Sequence, residues 1–78
     1  MVKMKFDFLD VICSVLCAGE DYRTMWVIKN EDVECYDDEQ ILMGILFDKE
    51  DKFISCTAET EDKLHCIFED EVFTIDIW

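Results

Sequence analysis

From Lys63 to Trp78, apolar and polar positions alternate in two runs on either side of an acidic tip. Folding the chain about Glu69–Asp70 sets Cys66 against Phe73 and Leu64 against Ile75. The opposite face then matches Lys63 with Asp76, His65 with Thr74 and Ile67 with Val72. One register yields both an apolar face and an opposite-charge pair, and a slip of one residue loses both. The same period of two starts again at Tyr22. A turn at Asn30–Glu31 pairs Ile28 with Val33 and Trp26 with Cys35, and on the other face Met25 with Tyr36, Arg23 with Asp38 and Lys29 with Asp32.

Ahead of these hairpins, Val2, Met4 and Phe6 alternate with Lys3, Lys5 and Asp7, the pattern of a short half-buried strand. Asp7 then caps a helix over Phe8–Ala18, with Asp10 in its first turn and Gly19 as the left-handed residue that ends it. Only a narrow stripe of Asp10, Ser14 and Ala18 breaks the apolar surface of this helix, so it must lie across a sheet or inside an interface, and the sheet is the preferred reading. The segment Asp37–Phe47 admits two readings. Asp37 with Gln40 forms a capping-box pattern ahead of a helix, whereas a turn at Glu50–Asp51 aligns Phe47 with Ile54, Ile45 with Cys56 and Met43 with Ala58. Gly44 weakens a helix centre by ~1 kcal/mol, which favours the strand. Phe53–Ala58 then leads through the polar loop Glu59–Asp62 into the last hairpin. The expected fold is α+β, a short N-terminal strand and one helix packed on an antiparallel meander sheet of about five to six strands, forming a single compact domain over residues 1–78. Leu42, Leu46, Phe53, Ile67, Val72 and Trp78 are expected on the far sheet face, as a patch that wants a partner.

Charge changes the picture most. Twenty Asp and Glu against seven Lys and Arg give a net charge of −13, while 51% hydrophobic content argues against disorder. Such a surface repels nucleic acid and anionic membrane and attracts basic partners. In an up-and-down meander, alternate turns fall at the same end of the sheet. One end gathers Glu31, Asp32, Asp48, Glu50, Asp51, Glu69, Asp70 and Glu71; the other gathers Glu20, Asp21, Asp37, Asp38, Glu39, Glu59, Glu61 and Asp62. Neighbouring hairpin tips then lie ~10 Å apart, too sparse to copy the charge density of a duplex but able to occupy a groove lined with Lys and Arg and built for phosphates. The first end is the expected docking end, because both of its hairpins have well-matched registers and its charges are therefore preorganised.

The remaining chemistry is sparse. His65 is the single histidine, and it falls opposite Thr74 on a strand without a nucleophile and an orienting acid around it. Two glycines, Gly19 and Gly44, cannot build a phosphate-binding loop. Neither the acidic loops nor the cysteine spacing has the order of a calcium or zinc site, so no catalytic residue, metal or cofactor is expected. The odd set Cys13, Cys17, Cys35, Cys56 and Cys66, without a secretory leader or a membrane span, is expected to stay reduced in the cytoplasm, with Cys56 and Cys66 as cross-strand neighbours.

The resulting expectation is a non-enzymatic inhibitor that occupies the nucleic-acid-binding surface of a basic protein, such as a CRISPR effector, a restriction enzyme or a nuclease. It is not expected to bind nucleic acid itself. Small acidic α+β proteins of phages and mobile elements that block such enzymes share this general composition; no motif is matched. An immunity or antitoxin protein against a cationic nuclease toxin uses the same physics. A homodimer or assembly subunit joined through the apolar sheet face belongs to a different class.

Overall fold

The computed structural model describes residues 4–60 and 62–78, so the strand position expected for Val2 and the acid Glu61 lie outside the described residues. The last hairpin forms in the register that its alternation dictates. Strands β5 (Lys63–Phe68) and β6 (Val72–Ile77) pair Lys63 with Asp76, Leu64 with Ile75, His65 with Thr74, Cys66 with Phe73 and Ile67 with Val72. The earlier hairpin, β2 (Met25–Lys29) and β3 (Asp32–Tyr36), also keeps its expected register from Met25–Tyr36 to Lys29–Asp32. Asn30 sits at φ 53° in its turn, a left-handed position that asparagine tolerates. Met25 and Val27 face the core, so the alternate face with Trp26 and Ile28 is the uncovered one.

With β1 (Met4–Phe6) and β4 (Phe53–Thr60), the described residues form one six-stranded antiparallel sheet in the order β1-β4-β5-β6-β2-β3. Two helices cover one face of it. The fold is α+β, with a true meander only in β4–β6 and the β2–β3 hairpin attached along β6.

Helix α1 (Phe8–Glu20) starts as expected. The Asp7 carboxylate accepts from the Asp10 N–H at 2.8 Å, and the Asp10 carboxylate returns the bond to the Asp7 N–H at 3.0 Å. The end differs from the expectation. The left-handed residue is Tyr22 at φ 56°, not Gly19; its N–H donates to Gly19 O and the Arg23 N–H to Ala18 O, the paired bonds of a Schellman motif. Gly19 lies inside the last turn for a steric reason, since a Cβ there would lie 2.4 Å from the Glu39 side chain.

The Asp37–Phe47 segment is corrected from strand to helix. Helix α2 spans Glu39–Asp48, and its N-cap is Asp38, whose carboxylate accepts from the Gln40 N–H at 2.9 Å. Leu42 and Leu46, one turn apart, are fully buried in the core and not displayed on the far sheet face. A strand would have buried Met43, Ile45 and Phe47 together, and Phe47 is exposed. The strand partners assigned to Cys56 and Ala58 go instead to Phe6 and Met4 of β1. Bulges at either end of β4 place Phe53 against the core as well as Cys56 and Ala58. The expected Arg23–Asp38 pair is also absent. Arg23 reaches across to Asp62 at 2.8 Å and to the Ile77 carbonyl at 3.1 Å, while Asp37 accepts from the Thr24 hydroxyl.

At the α1 N-terminus a row of rings, Phe8–Phe53–Phe68–Phe73, runs under the sheet with centroids 5.0 to 5.8 Å apart. Edge-on aromatic pairs of this kind add ~0.5–1.5 kcal/mol each beyond their buried area. This row makes the end of the sheet that bears the β5–β6 turn a rigid platform.

Candidate partner interface

The two acidic ends survive the change of α2 from strand to helix, because α2 carries the chain back along the sheet just as a strand would. The first end brings together the β2–β3 turn with Glu31 and Asp32, the end of α2 at Asp48, a 3-10 turn over Glu50–Lys52, and the β5–β6 turn Glu69–Glu71. The 3-10 turn is locked to the β5–β6 turn by the Glu69 N–H donating to Lys52 O at 2.8 Å. The second end collects Glu20 and Asp21 at the close of α1, Asp37, Asp38 and Glu39 at the start of α2, and Glu59 and Asp62 at the β4–β5 turn.

The ends differ in how their charge is held, since each keeps six described acids outside any ion pair. At the first end Lys49 pairs with Glu71 and, at 3.2 Å, with Asp70, and Lys52 reaches Asp70 at 3.5 Å. The Lys49 ammonium is largely covered and lies 5.6 and 5.4 Å from the Phe68 and Phe73 ring centres. Its hydrogen bond to Glu71 holds its pKa above the ordinary lysine value, against the opposing effect of burial. Lys29 sits at this end too, over the Phe73 ring at 4.9 Å and opposite Asp32. The register alone sets Lys29 beside Asp32, whereas only the fold brings Lys49 and Lys52 among the acids.

At the second end the one ion pair among the described residues is Arg23–Asp62. Asp37 and Asp38 accept neutral hydrogen bonds, which hold their carboxylates in place without cancelling their charge. Beside them Tyr22 is 95% exposed, a bulky side chain kept at a left-handed position. The second end therefore presents the better-defined negative surface, although the first was the expected docking end.

Elsewhere the chemistry is structural. His65 Nδ1 lies 3.3 Å from Thr74 Oγ1, the cross-strand neighbour its register demands. Cys56 and Cys66 face each other with 3.2 Å between sulfurs, both as free thiols. Contact with the Cys56 sulfur, together with burial, pushes the Cys66 thiol far up from its ordinary value, which leaves it protonated and inert. Cys13, Cys17 and Cys35 are exposed. No cluster of three or more His, Cys, Asp or Glu suited to a metal ion occurs among the described residues, and no described helix is long and apolar enough to cross a membrane.

Comparison with protein-family models, curated proteins and solved structures gives no match. The functional reading therefore rests on the arrangement of charge and surface alone.

Proposed function

We propose that the protein is a non-enzymatic inhibitor that lays an acidic end of its sheet into the nucleic-acid-binding groove of a basic protein, of the class that includes CRISPR effectors, restriction enzymes and nucleases. The observation that carries this reading is the segregation of acids to the two ends. Of the twenty acidic residues, fifteen that the structure describes lie in the turns, helix ends and strand ends gathered there. Among the described residues Arg23, Lys49 and Lys52 form ion pairs with local acids, while Lys29 and Lys63 stand opposite Asp32 and Asp76 in the strand register. Self-repulsion of this kind opposes folding, and an electropositive partner relieves it.

The geometry favours the second end, with Glu20, Asp21, Asp37 and Glu59, as the one that makes specific contacts; the first end contributes attraction at longer range. The test begins with capture of partners on the immobilised protein, followed by measurement of their nucleic-acid affinity with and without it. Competition is expected, and simultaneous binding of both ligands would sink the proposal. Direct binding of the acidic protein to duplex or single strands at ~50 mM salt should be undetectable in the micromolar range, where screening is weak and any phosphate contact strongest. Two charge-reversal variants then separate the ends. Glu20, Asp21 and Glu59 to Lys should speed dissociation of the captured partner, whereas Asp48, Glu50 and Glu69 to Lys should mainly slow association. The opposite pattern moves the docking site to the first end.

A further inference from the structure

Both helices pack on one face of the sheet, and the other face is left bare by every described element. The register defines what it carries. Trp26, Ile28 and Val33 lie side by side on β2 and β3, Val72 and Ile67 continue the surface on β6 and β5, and Trp78 follows in the alternation of β6, hydrogen-bonded through its backbone to Thr24. Val33 is 56% exposed, Val72 53% and Trp78 72%. Both tryptophans of the chain thus belong to one uncovered surface. Tryptophan is the residue that most often anchors an interface, and water gains nothing from solvating this row.

The charge on this face separates it from the rest of the molecule. At its paired strand positions the charged side chains are Lys5, Lys63 and Asp76, a local balance of both signs on a chain of net charge −13. A basic partner therefore finds its counter-charges at the ends of the sheet and almost none here. A symmetric pairing has different needs: one patch that complements itself, with an apolar row and both signs together; here the row lies along β2–β3 and passes diagonally beside Thr74 and His65 to Val72 and Ile67. Lys63 beside Asp76 supplies the second.

The area also fits. Six strands at ~4.8 Å spacing and five to six residues at ~3.3 Å give a face of about 24 by 20 Å. Two such faces, with their side-chain relief, withdraw on the order of 1,000–1,500 Å² from water, the range of a specific but modest interface.

We infer that this face binds a second copy of the chain, sheet against sheet, with the helices outward. The acidic ends stay open in such a pair, so the inference does not depend on the proposed inhibitory role. It has its own signature. Two strongly acidic copies repel each other through their ends, and salt screens that repulsion while leaving apolar contact intact. The pair therefore tightens as salt rises, opposite to a complex of acidic and basic partners.

Sedimentation velocity in the presence of reductant, which keeps the exposed cysteines from linking copies, tests this between ~1 and ~200 µM. The expected result is a monomer–dimer equilibrium whose dissociation constant falls at least about threefold from ~50 to ~500 mM salt. Ile28→Lys with Val33→Lys should weaken pairing at least about a hundredfold, because two charges enter the apolar row along β2–β3. Leu9→Lys with Leu16→Lys, which alters exposed apolar residues on α1, should leave pairing unchanged; circular dichroism melts establish that both variants are folded. A monomer at all concentrations and both salts overturns the inference. So does a dimer that survives the sheet-face variant or is lost in the helix variant, since either result places the contact elsewhere.

Discussion

The two glycines illustrate how much a single position depends on its surroundings. A Cβ at Gly44 meets nothing within 4 Å on the outer face of α2, whereas one at Gly19 runs into the Glu39 side chain. Gly44→Ala should therefore raise stability by ~0.5–1 kcal/mol through backbone entropy and helix propensity. Gly19→Ala should lower it, because α1 and α2 must move apart; denaturant midpoints of the two variants check the opposite signs. Gly44 argued for a strand only on the assumption that a helix avoids glycine, and an exposed helical glycine is tolerated at that modest cost. Tyr36 gives a test by pH. Its hydroxyl donates to the Glu34 carboxylate, and this bond, with burial and the nearby negative charge, raises its pKa from 10.0 to about 12. A raised pKa favours the protonated form in the fold, so this contribution is complete below pH ~10 and is lost as pH climbs toward ~12. Tyrosinate absorbance should show a phase near pH 12 that moves down toward 10 in Glu34→Gln; an unchanged phase refutes the bond as its cause.

Among the elements, the hairpins were legible because cross-strand pairs test a register twice, once by apolarity and once by charge. Leu64–Ile75 with Lys63–Asp76 leave no second solution. Helix α2 was not legible in the same way. Its sequence alternates well enough to pair with β4, and β4 receives a different partner, β1, from the far end of the chain. The helical signal was present in Leu42, Met43 and Leu46 at three- and four-residue spacing and in an aspartate cap one residue later than the pattern suggested. The cap can be weighed directly. Asp38→Ala should cost ~1 kcal/mol by exposing the first N–H groups of α2, while Asp38→Ser should restore most of it. Equal losses in both variants would mean that the carboxylate acts through charge and not as a cap. The grouping of acids at two ends does not depend on whether α2 is helix or strand, because both carry the chain back along the sheet; the lysines that partly neutralise the first end were hidden, since Lys49 and Lys52 meet Asp70 only through a tertiary contact.

For the whole molecule, electrostatics sets the terms of stability. Acids confined to two ends of a body 29 Å in its longest dimension repel at distances comparable with the screening length, so added salt should stabilise the monomer. A melting midpoint that rises by ~4–8 °C from ~10 to ~500 mM salt corresponds to about 1 kcal/mol for a domain this small. A fall would instead mean that the Lys49, Lys52 and Arg23 ion pairs outweigh the repulsion.

The place of β6 has a consequence for how this protein is made. It lies between β5 and β2, so the β2–β3 hairpin is joined to the rest of the sheet solely through it. Residues 25–36 leave the ribosome early, yet the strand that gives them a docking edge is translated after every other strand of the sheet. Until then the nascent chain carries an open hairpin edge and an unfilled core, held in solution by its own negative charge. Folding is therefore a late event with two long loops to close, β1 to β4 and β2 to β6, and it should be slow for a chain of this size.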